Sequence, residues 1–77
     1  MITFLDLQTV LARQLRIADV NTITMESKIK KDLGADSLDI LQLLMRLEDD
    51  YGFSIPDEQL STFETVGDIM NFISSRQ

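Results

Sequence analysis

Gly34 and Gly52 bracket the segment that leaves this chain the fewest folds to choose from. Asp36 stands just after Gly34 and offers a carboxylate to the unpaired amides of the apolar run that follows, and Asp39 takes the acidic position of a capping box. Both charges suit the positive end of a helix dipole. Gly52 sits where helices commonly close on a left-handed residue. The spacing therefore predicts a helix over Ser37 to Tyr51. Projected at about 100° per residue, Ile40, Leu43, Leu44, Leu47 and Tyr51 fall on one side, as a core face should. Leu38, Leu41 and Met45 form a second apolar stripe, on the side that also carries Glu48 and Asp49. A helix with two apolar sides is either sandwiched in a core or offered to a partner. A chain of 77 residues removes only about 60% of its unfolded surface from water, so it has little material to cover both sides. The second stripe is read as a partner surface. Ser37, on the first turn, points back toward the loop and should be reachable from outside.

The remaining segments supply what the core face needs. Thr3 and Asp6 have capping-box spacing, and Phe4, Leu7, Leu11 and Leu15, with Val10 beside them, recur at helical spacing. This first helix should end near Arg16, because Ile17 to Thr24 mixes β-branched residues with Asp19, Asn21 and Thr22. A long connection then runs to Gly34, with Ile23, Ile29 and Leu33 available to pin it to the core. After Gly52, Pro56 bars a regular strand interior and suits the first turn of a short helix near Glu58 to Ser61. Phe63 returns to the core. Thr65 and Asp68 repeat the capping-box spacing before Val66, Ile69, Met70 and Ile73, which mark a last helix ending between Ser74 and Gln77. No stretch alternates as a strand does. The expected fold is all-α, a small four-helix bundle of three main helices and one short one, with a long loop between the first two and one domain over residues 1–77.

Composition removes whole classes of function. The apolar fraction is 44% and the charged fraction 26%, as in a soluble globular protein, and no apolar run approaches the roughly 18 residues of a membrane span. The start, Met1-Ile2-Thr3-Phe4-Leu5-Asp6, lacks the basic region of a signal peptide, so a cytoplasmic setting is expected. A net charge of −6 argues against nucleic acid as a partner, because that binding relies on clustered Lys and Arg. The charge is uneven: Arg13, Arg16, Lys28, Lys30 and Lys31 outnumber the acids up to residue 31, whereas between Asp32 and Asp68 only Arg46 opposes ten acids. Without histidine, neither a Ser-His-Asp catalyst nor a His-ligated metal centre can be built, and without cysteine there is no thiolate site. A calcium loop starting at Asp32 would place Leu43 where a bidentate Glu is required. Asp32, Asp36 and Asp39, or Glu48, Asp49 and Asp50, offer loose divalent association and no dedicated metal site. No catalytic residue is expected.

Within this frame, Asp32-Leu33-Gly34-Ala35-Asp36-Ser37-Leu38-Asp39 resembles the attachment motif of acyl carrier proteins. Leu47-Glu48-Asp49-Asp50-Tyr51, Ile55-Pro56-Asp57-Glu58 and Thr65-Val66-Gly67-Asp68 support the resemblance in the right order, from the first helix to Ile73. It points to the discrete form of this phosphopantetheine-dependent family. The resemblance implies that a phosphopantetheinyl transferase moves 4′-phosphopantetheine from coenzyme A onto the Ser37 hydroxyl, and that the arm's thiol carries acyl groups as thioesters. The reactive sulfur then comes with the prosthetic group, which accounts for a chain without cysteine. The protein would be a substrate and shuttle rather than an enzyme, serving fatty-acid or polyketide synthesis as a monomer. By the same resemblance, Asp36, Leu38, Asp39, Leu41, Met45, Glu48 and Asp49 form the surface read by basic patches on acyl-transferring and chain-elongating enzymes. Leu47, Ile55 and Ile69 would line a pocket for the acyl chain. Gln42, Arg46 and the lysines at 28, 30 and 31 depart from the usual pattern and bear on partner choice. Gln42-Leu43-Leu44 is similar to D-alanine carriers, so an amino-acid carrier is one alternative, and an unmodified acidic helical adaptor is another.

Overall fold

The computed structural model describes residues 2–52 and 54–76, the side chains of residues 57 and 76 excepted. Gln77, at the far limit expected for the last helix, lies outside the described residues, as do Met1 and Phe53. Three helices carry the fold, and each begins on the side-chain device its sequence offers. Thr3 Oγ1 accepts from Asp6 N while Asp6 accepts from Thr3 N, which starts α1 (Phe4–Leu15). Asp36 and Asp39 exchange the same pair of bonds at the head of α2 (Ser37–Tyr51). Thr65 and Asp68 repeat it for α3 (Val66–Arg76), where the Asp68 carboxylate accepts from both Glu64 N and Thr65 N. The Asp68 carboxyl is held below the usual aspartate range by those backbone donors at Thr65 and Glu64, against a smaller opposing effect of burial. At the far ends, α1 closes on Arg16 and α2 on Gly52, both left-handed, the latter donating its N–H to Glu48 O at 2.8 Å.

The connections carry more regular structure than their composition suggests. Asp19 caps a 3₁₀ turn over Val20–Thr22 inside the long loop. The expected short helix is 3₁₀, over Asp57–Thr62, and it follows Pro56 rather than beginning on it. No strand is found among the described residues; the single antiparallel bridge pairs Lys28 with Thr65. Among the described residues no helix is long and apolar enough to cross a membrane.

Leu7 and Leu11 of α1, Leu43 and Leu47 of α2, and Val66, Ile69 and Ile73 of α3 are fully buried around one core. Full burial of each such side chain contributes about 1.5–3 kcal/mol, set against the ordering of the chain. Ile23 and Ile29 of the long loop are equally buried, and Leu33 is half-buried against them. Phe63 meets Phe72 edge to face at 5.6 Å. Tyr51, expected on the core face, is instead 41% exposed. The last turn of α2 projects beyond the core, and partial desolvation, then the nearby Asp6 and Asp50, push its phenol pKa up.

Two polar devices hold the long loop. Gln8, buried in α1, donates Nε2 to Val20 O at 3.1 Å and Ile23 O at 2.8 Å. On the other side a backbone clamp joins the loop to the start of α3: Ile29 N to Glu64 O (3.0 Å), Val66 N to Ser27 O (3.0 Å) and Gly67 N to Met25 O (2.8 Å). Gly67 is what lets the two backbones meet. A Cβ there would lie 2.9 Å from the Met25 carbonyl oxygen.

Candidate functional site

The clamp sets the position of Ser37. From Ile29, a turn in which Lys28 O accepts from Asp32 N (2.8 Å) and Leu33 N (3.1 Å) leads through Gly34 at φ 72° to the buried Ala35. Ala35 N returns to Ile29 O at 3.1 Å. Asp36 therefore leaves a braced loop as the N-cap of α2, and Ser37 is the first helical residue. It is exposed, and its hydroxyl makes no hydrogen bond among the described residues. Ser37, Ile40, Lys30 and Leu60 enclose a small depression of about 60 Å3. A free hydroxyl beside open space suits a phosphate ester, and the helix dipole favours it there, although the capping carboxylates of Asp36 and Asp39 offset part of that field.

The other residues singled out in the sequence are disposed along α2. Leu38, Leu41 and Met45 are 59%, 37% and 53% exposed, in contrast to the buried Ile40, Leu43, Leu44 and Leu47. Asp36 and Asp49 are exposed and Asp39 half-exposed. Asp36 and Asp39 each commit one carboxylate oxygen to the cap. Glu48 is half-buried, and its Oε2 accepts from Ile55 N at 2.6 Å, so this carboxylate ties the end of α2 to the segment before the second 3₁₀ helix. Arg46, the one cation on α2, lies 3.6 Å from Asp50 one turn on.

Leu41, Met45 and Glu48 come together around a cavity of about 190 Å3 whose other walls are Leu44, Ile55 and Leu60. Of the three residues expected to line an acyl pocket, Ile55 borders this cavity. Leu47 and Ile69 are fully buried in the central core and form no wall of it. The acidic triplets do not assemble: Asp32 Oδ2 is taken by Lys28 N, and among the described residues no three acidic groups are placed to hold a metal ion. Leu60 was not singled out in the sequence. It lies more than twenty positions from Ser37 on a segment whose packing no local pattern encodes, and it walls both the serine depression and the apolar cavity.

With this geometry in place, comparison with known proteins is direct. The family model described as the phosphopantetheine attachment site matches residues 6–73. An acyl carrier protein of Helicobacter pylori (strain G27) is 44% identical over 77 residues, covering 100% of this chain and 97% of that protein. One from Treponema denticola is 46% identical over 74 residues, covering 96% and 94%. Among solved structures, a Mycobacterium tuberculosis chain assigned as an acyl carrier protein superposes with a TM-score of 0.88 at 28% identity, covering 96% of this chain and 97% of that one. Members of this family bear a covalently attached 4′-phosphopantetheine, and the free hydroxyl at the head of α2 is chemically suited to it. A three-helix chain matched from end to end by carriers, with a phosphopantetheine attachment domain over nearly all of it, belongs to the acyl carrier protein family.

Proposed function

We propose that this chain carries acyl intermediates as thioesters on a 4′-phosphopantetheine arm joined to Ser37, and delivers them to enzymes of fatty-acid or polyketide synthesis. The observation that carries the reading is the placement of Ser37: an exposed hydroxyl without a hydrogen-bond partner among the described residues, on the first turn of α2. Its oxygen forms the new bond to phosphorus, the nucleotide part of coenzyme A leaves, and the hydroxyl proton passes to the transferase. Among the described residues the neighbouring carboxylates, Asp36 and Asp39, each give an oxygen to the helix cap, which leaves the proton to the transferase. The chain is thus a substrate of its partners rather than a catalyst. When bound, the arm supplies the thiol that holds the acyl group.

The exposed stripe of Leu38, Leu41 and Met45, with Asp36, Asp39 and Asp49 around it, supports docking of α2 onto basic patches of the transferase and of acyl-transferring and elongating enzymes. Residues 1–77 act as one monomeric carrier domain in the cytoplasm. Intact mass spectrometry after incubation with coenzyme A and a broad-specificity transferase tests the reading. One phosphopantetheinyl group should be gained, and none by Ser37→Ala. No gain under conditions that modify a control carrier overturns it.

A further inference from the structure

Three lysines that play no part in the α2 surface gather on the other flank of Ser37. Lys28, Lys30 and Lys31 line a cleft of about 340 Å3, with Leu60 and Phe63 among its apolar walls. That volume lies at the lower end of small-ligand pockets, roughly 300–1,000 Å3. The cleft and the depression holding Ser37 share two walls, Lys30 and Leu60, so the serine adjoins the cleft directly. Lys28 is engaged by Glu64, Nζ to Oε1 3.7 Å. Lys30 and Lys31 have no carboxylate partner among the described residues. Ser37 is therefore flanked by the unneutralised ammonium group of Lys30 on the loop side, with Lys31 further along the cleft, and by the carboxylates of Asp36 and Asp39 on the helix side. A phosphodiester on the serine is attracted to the first and repelled by the second.

We propose that Lys30 and Lys31 draw the phosphodiester at Ser37 toward the loop and turn the arm beyond it into the basic cleft, over Leu60 and Phe63, rather than along Leu38, Leu41 and Met45. This rests on Ser37 being the attachment point. The resting arm then leaves the outer stripe of α2 clear for a partner.

Because the chain has no cysteine, the thiol of the arm is the only one in the loaded protein, and a maleimide nitroxide labels it alone. Paramagnetic broadening of backbone amides in the labelled full chain then reports where the arm lies. Broadening at residues 28–31 and 60–64 should exceed that at Leu38, Leu41 and Met45 by about two- to fivefold, the bias that one or two exposed ion pairs supply. In the Lys30→Gln/Lys31→Gln double variant the excess should shrink, and at about 1 M salt, where the Debye length falls to about 3 Å, the two regions should broaden equally. Lys30→Arg/Lys31→Arg should keep the wild-type pattern. The ³¹P resonance of the phosphodiester should move in the glutamine variant and not in the arginine one. A confirmed mass gain with even broadening, or with a cleft preference that survives both the glutamine substitutions and high salt, overturns the proposal alone. Absence of the mass gain overturns the attachment reading and this one with it.

Discussion

Gly67→Ala asks how tight the clamp between the long loop and α3 is, and two opposing effects make the sign of the answer informative. The added Cβ would lie 2.9 Å from the Met25 carbonyl oxygen and 3.6 Å from both its carbon and the Met25 Cβ. The first distance is well inside the roughly 3.3–3.6 Å at which carbon and carbonyl oxygen ordinarily meet. The obstructing atom is backbone, and it is held there by the 2.8 Å bond from Gly67 N. Separating the two segments weakens that bond, worth about 0.5–1.5 kcal/mol, and adds overpacking strain of about 1–3 kcal/mol. Against this, alanine favours a helix interior over glycine by about 1 kcal/mol, only part of which applies at the second residue of α3. The net is a loss of about 0.5–4 kcal/mol, each kcal/mol lowering Tm by about 4–8 °C in a chain of this size. Thermal and urea unfolding followed by far-ultraviolet circular dichroism measures it. Amide exchange at Val66 and Gly67 should quicken in parallel. Gly52→Ala is the control, because its Cβ would meet nothing within 4 Å and any loss there comes from φ 73° alone. An unchanged or higher Tm for Gly67→Ala would refute the reasoning, since helix propensity would then outweigh a contact that is not tight.

Three further outcomes are expected. Asp36→Ala should cost about 0.5–2 kcal/mol by removing the α2 cap, whereas Asp36→Asn keeps the cap and isolates the charge; urea midpoints and salt-dependent association rates of the two variants with a transferase separate the roles, and equal stabilities would remove the cap from the account. Asp68 has a lower pKa folded than unfolded, so as pH falls the unfolded chain binds the proton first: the stabilisation is complete above about pH 4 and is lost as pH drops through the folded value. Asp68→Asn should therefore flatten the acid limb of a stability–pH curve, and an unaltered limb counts against it. Glu48→Ala leaves Ile55 N without its acceptor and should cost about 1–3 kcal/mol in urea unfolding, with Glu48→Gln intermediate; a wild-type midpoint in both would show that the 2.6 Å bond is dispensable.

The helices were legible because each start is decided by side chains three residues apart that bond to nearby backbone. Thr3 with Asp6, Asp36 with Asp39 and Thr65 with Asp68 are local devices, and all three form as spaced. The exposed stripe of α2 was legible for the related reason that helical projection is set by a single period. Tyr51 failed on that same projection, which places a side chain around the axis but says nothing of whether the core extends to the last turn. The features that fix Ser37 in space were out of reach. Gln8 meets carbonyls twelve and fifteen positions away, Gly67 meets a backbone more than forty positions away, and Lys30 shares a cleft with a leucine thirty positions on. The three lysines stood out in the sequence only as a departure in charge, and it takes the folded loop to place them beside the serine.

The clamp at Ser27, Ile29, Val66 and Gly67 also decides from which end of the molecule Ser37 is measured. Ala35 is bonded to Ile29 and Ile29 to Glu64, so the serine is referenced to the head of α3, whereas the stretch between Arg16 and Val20 is tied to α1, through Ile17 N to Ala12 O (2.8 Å) and Gln8 Nε2 to Val20 O (3.1 Å). One residue inserted between Ile29 and Asp36 breaks the register of the Ala35 N to Ile29 O bond and so displaces the serine at the start of α2. The two halves of the loop thus answer to different helices, the first to α1 and the second to α3.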